Sequence, residues 1–247
     1  MIVYKKENEV GLPIYKPTNY TTKLPVSGKS VKFRPYTIEE EKALLTIKES
    51  TDLSQEDKLK AFFDLTEKCV IGDNIKIAEM AVSDFVVLSS KIRMKSVTEV
   101  LNMSIQCPSC KKHFEYSTEI SNIIKIENEG NKKVLMEIDD TLKLNLTTPT
   151  VDILFELSKV KKEIDILDTY ITYCIESVVF NKEVYSNFTK QELFENIVSN
   201  FPQKMIYKVY EEIKKLVSVD FVLENCKCFH CGHTFTTSDG NMINFLI

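Results

Sequence analysis

Four of the seven cysteines fall in two Cys-x-x-Cys pairs, Cys107-Pro108-Ser109-Cys110 and Cys228-Phe229-His230-Cys231. All three histidines, His113, His230 and His233, lie close to these pairs. A two-residue spacer lets both thiolates of a pair face one ion, and four thiolates together would hold a tetrahedral Zn²⁺. Main-chain N–H groups of each tight turn would hydrogen-bond the sulfurs and stabilise their charge. The segments CPSCKKHFEYST and CFHCGHTFTTS each set a knuckle between two strand-like runs. They read as the two halves of one zinc ribbon, with Cys107, Cys110, Cys228 and Cys231 as ligands of a structural Zn²⁺.

Some alternatives stay open at this level. Cys226 precedes the second pair and reads as a spare on the entering strand. His230 or His233 could stand in for a cysteine, and the thiols could also be free. A redox pair usually opens a helix in a βαβ setting, whereas these flanks are strand-like. A catalytic zinc needs an open position, which four thiolates do not leave.

The elements that must position these cysteines follow from local patterns. Residues 1–36 read as an extended segment, punctuated by Pro13, Pro17, Pro25 and Pro35. It ends in a hairpin from Leu24 to Pro35 that turns at Ser27-Gly28-Lys29, with Val31 and Phe33 on one face. Residues 37–96 read as a helical subdomain. Its first helix opens on a Thr37/Glu40 capping box, with Ala43, Leu44 and Ile47 on the inner face. Ser54 caps the second helix, which buries Leu59, Phe62, Phe63 and Leu65. A third, from about Ser83 to Met94, buries Phe85, Val86, Leu88 and Ile92.

Residues 97–150 switch to period two and read as a β-meander carrying the first knuckle. Residues 151–218 read as a second helical block. Leu167, Ile171, Cys174, Ile175 and Val178 lie on one helical stripe, Thr189/Glu192 form another capping box, and Pro202 opens the last helix. Residues 219–247 supply a strand and the second knuckle. The class is α+β, with two helical blocks around a small antiparallel β region closed by the knuckle pair.

Composition narrows the function. Apolar residues make up 43% of the 247 and support a sizeable core. The formal charge of -4 speaks against a general nucleic-acid binder, which carries a basic excess. No apolar run is long enough to cross a bilayer, and MIVYKKENEV lacks a signal peptide's apolar run, so a reducing cytoplasm is expected. There, paired cysteines favour metal over disulfides, and Cys69 and Cys174 act as small buried hydrophobes. Gly28-Lys29-Ser30 lacks the upstream glycine of a phosphate-binding loop. With every histidine beside a cysteine pair, no nucleophile–base set can be assembled, and no enzyme is expected.

The segment LPVSGKSVKFRPYTIEEEKALL, Leu24 to Leu45, resembles the baseplate hub assembly proteins of T-even-type contractile-tail bacteriophages. It is similar to their LP-x-SG-x-x-V-x-F-R-P-(F/Y)-T hairpin, which is followed by an acidic helix start of the form EEK-x-LL. The CP-x-C knuckle in mid-chain is similar too. The resemblance implies a non-enzymatic assembly factor or hub component whose partners are other baseplate hub proteins. It would work in the host cytoplasm during virion assembly or stay in the tail baseplate. It also makes Lys32, Phe33, Arg34 and Pro35 the positions expected to contact a partner, unless Phe33 serves to staple the hairpin to the first helix. The competing reading is a zinc-ribbon nucleic-acid-binding or transcription-type accessory factor, whose binding would fall steeply with added salt.

Overall fold

The computed structural model describes residues 15–72, 75–160 and 162–238. The expectations for the first residues, Pro13 included, lie outside them. Strands β1 (Tyr20–Lys23) and β2 (Ser30–Phe33) form the expected hairpin, with its first strand starting ahead of Leu24. The turn closes through Leu24 N–H on the Lys29 carbonyl at 2.9 Å, and Gly28 takes the left-handed φ of 71°. Val31 and Phe33 face the core together, each 2% exposed. The strand β3 (Val70–Ile71) extends this sheet.

Three helices cover the hairpin. Helix α1 (Ile38–Glu49) opens on the Thr37/Glu40 capping box and α2 (Gln55–Cys69) on a box from Ser54 to Asp57. In α1 only Leu44 is buried; Ala43, expected inside, is exposed because the helix lies at the edge of the molecule. Leu59, Phe62, Phe63 and Leu65 of α2 are buried as expected. Their partner is α3 (Val82–Ser96), whose Phe85 ring meets Phe62 and Phe63 edge-on, with centroids 5.6 and 5.0 Å apart. Asp84 at the start of α3 is 2% exposed, and its carboxylate accepts from Val26 and Ser27 N–H at 2.7 and 3.0 Å. This pins the hairpin turn to the helix.

Residues 97–150 do not form one meander. Strands β4 (Val100–Gln106) and β5 (His113–Glu119) pair with each other. After the short helix α4 (Ile120–Ile123), β6 (Ile124–Glu127) pairs instead with a strand almost a hundred residues on. Strands β7 (Lys133–Glu137) and β8 (Leu142–Thr147) belong to yet another sheet. A local period-two pattern reveals strands but not their partners, and here the partners are distant.

Residues 151–218 also differ from a wholly helical block. Helices α5 (Ile153–Lys159) and α6 (Glu163–Cys174) are followed by the hairpin β9 (Ile175–Phe180) and β10 (Glu183–Tyr185). Ile175 and Val178, read as a continuing helical stripe, point inward from a strand. The C-terminus of α6 is closed from a distance: Lys190 Nζ donates to the Thr172, Tyr173 and Ile175 carbonyls at 3.2, 3.4 and 3.0 Å. Burial depresses the pKa of that ammonium. Helices α7 (Lys190–Asn196, capped by Thr189) and α8 (Gln203–Ile213) follow, then β11 (Ser218–Lys227) and β12 (Thr234–Ser238).

The α+β class holds, with the described residues forming eight helices and four small antiparallel sheets. Two apolar clusters hold them. The first joins the hairpin, α2, α3, the ribbon strands and β11 around Phe33, Phe85 and Leu88. The second lies between the sheet β10-β9-β8-β7 and helices α6 and α8, around Leu144, Leu146, Ile171 and Val209. Both sets of cysteine-bearing strands belong to the first cluster.

Candidate metal centre

Each Cys-x-x-Cys pair sits at the tip of an antiparallel hairpin, β4–β5 for the first and β11–β12 for the second. The two tips fold alike. Cys107 N–H donates to the Lys112 carbonyl at 3.0 Å and Lys111 N–H to the Cys107 carbonyl at 2.9 Å. In the second tip Cys228 N–H reaches the His233 carbonyl at 2.9 Å and Gly232 N–H the Cys228 carbonyl at 2.9 Å. The position after each pair is left-handed, with φ of 59° at Lys111 and 72° at Gly232.

The tips meet despite their distance in sequence. The sulfurs of Cys107 and Cys231 are 3.7 Å apart, as are those of Cys110 and Cys228, and all four lie within 4.8 Å of one another. Four sulfurs at zinc–thiolate bond length around a tetrahedral centre would be ~3.8 Å apart. Cys107 and Cys228 are buried, Cys110 is half-buried and Cys231 is exposed. Burial pushes the Cys107 thiol up. The Cys110 and Ser109 N–H groups and the neighbouring thiols of Cys231 and Cys110 outweigh it, holding it down at about 7. At Cys231 the His233 N–H lowers the value, but burial and the three other thiols push it up to about 11. The set of four sulfurs could take up a metal ion as thiolates.

A β-bulge sets the second pair. Val219, Phe221 and Leu223 point inward along β11, Glu224 and Asn225 both point outward, and Cys226 and Cys228 then point inward. Asn225 has φ 56°, and the β11–β12 register shifts between Leu223 and Cys226. Without the extra residue, Cys228 would face away from Cys110. Asparagine tolerates the left-handed region, so Asn225 was the available cue.

The neighbours stay outside the cluster. Cys226 is fully buried, hydrogen-bonded to Tyr116, and burial pushes its thiol up. His230 Nε2 lies 3.1 Å from the His113 carbonyl, linking the two hairpins. His233 stacks on Phe235 at 5.9 Å. Among the described residues the cluster consists of cysteines alone.

The chain as a whole also has known kin. The family model described as T4 bacteriophage base plate protein matches residues 17–246. The chain belongs to that family. The match spans both hairpins, both apolar clusters and all four clustered cysteines. No curated protein and no solved structure matches the chain significantly.

Two of the four expected partner-contact residues, Phe33 and Arg34, make internal contacts in the baseplate protein. Phe33 is 2% exposed and packs its ring 5.8 Å from Tyr20, which favours the packing role expected of it over a partner contact. Arg34 forms a two-pronged ion pair with Glu40, at 2.8 Å on each side, and its N–H reaches the Cys69 carbonyl. Arg34 thereby holds the Glu40 carboxyl down at about 2. This fork joins the hairpin to the capping box of α1. Pro35 is half-buried, and Lys32 is exposed. Burial pushes the Cys69 thiol up to about 11 and the Cys174 thiol up to about 12, so both are protonated at neutral pH.

Proposed function

We propose that this baseplate protein acts in assembly of the central hub of the phage tail baseplate, through contacts with other baseplate proteins, and that its four clustered cysteines hold a structural Zn²⁺. The observation that carries the reading is the family match over residues 17–246. Within that family, the hairpin and helix start from Leu24 to Leu45 point toward hub assembly. The thiol set supports zinc over harder cations, since sulfur ligands in tetrahedral array select it. The ion would tie two hairpins that are far apart in sequence and both enter the first apolar cluster.

The role is architectural. Four thiolates complete a tetrahedral shell, so the ion offers no position for water or substrate. The protein acts where the particle is built, in the host cytoplasm, either leaving as an assembly factor or staying in the tail baseplate. Lys32 is the member of the expected contact set that is available to a partner.

Two measurements test the reading. Elemental analysis of protein purified without added metal is expected to give one zinc per chain, with four thiols becoming titratable on chelation. Thiols that titrate freely without chelation would remove the zinc. Phage lacking a functional copy of this gene are expected to accumulate incomplete baseplates under the electron microscope; normal tails would remove the hub-assembly role. Mass spectrometry of purified particles then separates an assembly factor from a resident component.

A further inference from the structure

We propose that the outer edge of β7 is a docking site for an acidic, extended peptide segment of a partner protein. Strand β7 ends the sheet β10-β9-β8-β7 and, among the described residues, pairs only with β8. No main-chain group of residues 133–137 bonds to any other described residue. Edge strands are usually blunted by charge, proline or a bulge. Here Lys133 and Glu137 guard the ends, but the centre is Leu135, 56% exposed.

A groove of about 680 Å³ runs between this strand and α8. Its helical wall is one face of α8: Lys204, Tyr207, Lys208, Glu211 and Glu212. Tyr207 is 54% exposed and lines the groove on its helical side. An added strand would satisfy the free edge with main-chain hydrogen bonds, lay its apolar side chains beside Leu135 and turn the alternate ones toward α8.

Charge selects the partner. The three carboxylates of the groove are already engaged: Glu137 with Lys143, Glu211 with Lys214 and Glu212 with Lys215. Lys204 and Lys208 have no ion-pair partner among the described residues. Counting the lysines that pair with its carboxylates, the groove and its rim carry an excess of two positive charges, on a protein whose net charge is -4. That asymmetry favours an acidic segment, and it disfavours a basic one or a second copy's equally basic groove.

The test uses the full-length protein and two short blocked peptides in which valine alternates with glutamate or with lysine. Fluorescence anisotropy should show saturable binding of the glutamate peptide, about tenfold tighter than the lysine peptide. The Lys204→Glu/Lys208→Glu variant should reverse that preference, and Leu135→Lys should weaken both peptides, with circular dichroism unchanged. Hydrogen exchange should show new protection within residues 133–137. Absence of saturable binding, or a preference that survives the charge reversal, would overturn the proposal. Concentration-dependent dimerisation that buries β7 would assign the edge to a second copy and overturn it equally.

Discussion

The two knuckles reach one backbone shape with different residues. Both close with the same pair of main-chain hydrogen bonds, and both need a left-handed residue after the second cysteine. The later knuckle meets that need with Gly232 and the earlier one with Lys111. Space does not explain the glycine, since a Cβ at Gly232 would meet nothing within 4 Å. Conformation does: an L-residue in this region costs about 1–2 kcal/mol. Lysine persists there because the surrounding hydrogen bonds and the thiol cluster over-determine its backbone. Burial differs as well. Each cross-knuckle contact pairs a buried sulfur with a more exposed one, Cys107 with Cys231 and Cys228 with Cys110. Neither knuckle is dominant, and loss of either should be equivalent.

The largest test of that equivalence removes the cluster. Cys107→Ser and Cys231→Ser, taken from opposite knuckles, should each cost several kcal/mol and yield insoluble or non-cooperative protein, as should a chelator on the wild type. The damage should be regional. Hydrogen exchange after chelation should rise in β4, β5, β11 and β12 while Leu142–Thr147 and the α8 core stay protected, because the second apolar cluster holds none of the four cysteines. If both clusters lose protection together, the cysteines staple the whole molecule. If one cysteine variant melts normally, the knuckles are not equivalent. The converse variant, Leu144→Ala at a fully buried site of the second cluster, should cost about 2–5 kcal/mol and leave zinc content unchanged.

The site was legible in the sequence because its grammar is local: two spacers, flanking strands and a glycine. The capping boxes at Thr37, Ser54 and Thr189 were legible for the same reason. What escaped depends on distant partners. Ile175 and Val178 fit a helical stripe as well as a strand. The cue that ends α6 at Cys174 is an ammonium contributed by Lys190, beyond an intervening hairpin. That hairpin turns at Asn181 and Lys182, with φ 49° and 72°, where no glycine marks it. The pairing of β6 with β11 has no local signature at all. Phe33 illustrates a separate difficulty: in the sequence a distinctive motif residue fits a partner contact and a packing role equally well, and its burial beside Tyr20 favours packing.

The smaller effects probe the knuckle turns directly. Gly232→Ala should destabilise by about 1–2 kcal/mol, through φ alone. In a chain of this size each kcal/mol corresponds to a melting shift of ~2–4 °C. Lys111→Gly should act in the opposite direction and more weakly. It releases a similar left-handed penalty, but glycine frees the unfolded chain by about 0.5–1 kcal/mol, so the gain is ~0.5 kcal/mol. Measured in the metal-loaded protein, that sign is the point of the experiment. A loss on Lys111→Gly would mean that the lysine side chain contributes something the backbone comparison omits. A gain in the loaded protein that grows after chelation would mean that the cluster holds Lys111 in its left-handed conformation, and that the turns are equivalent only while the sulfurs are tied.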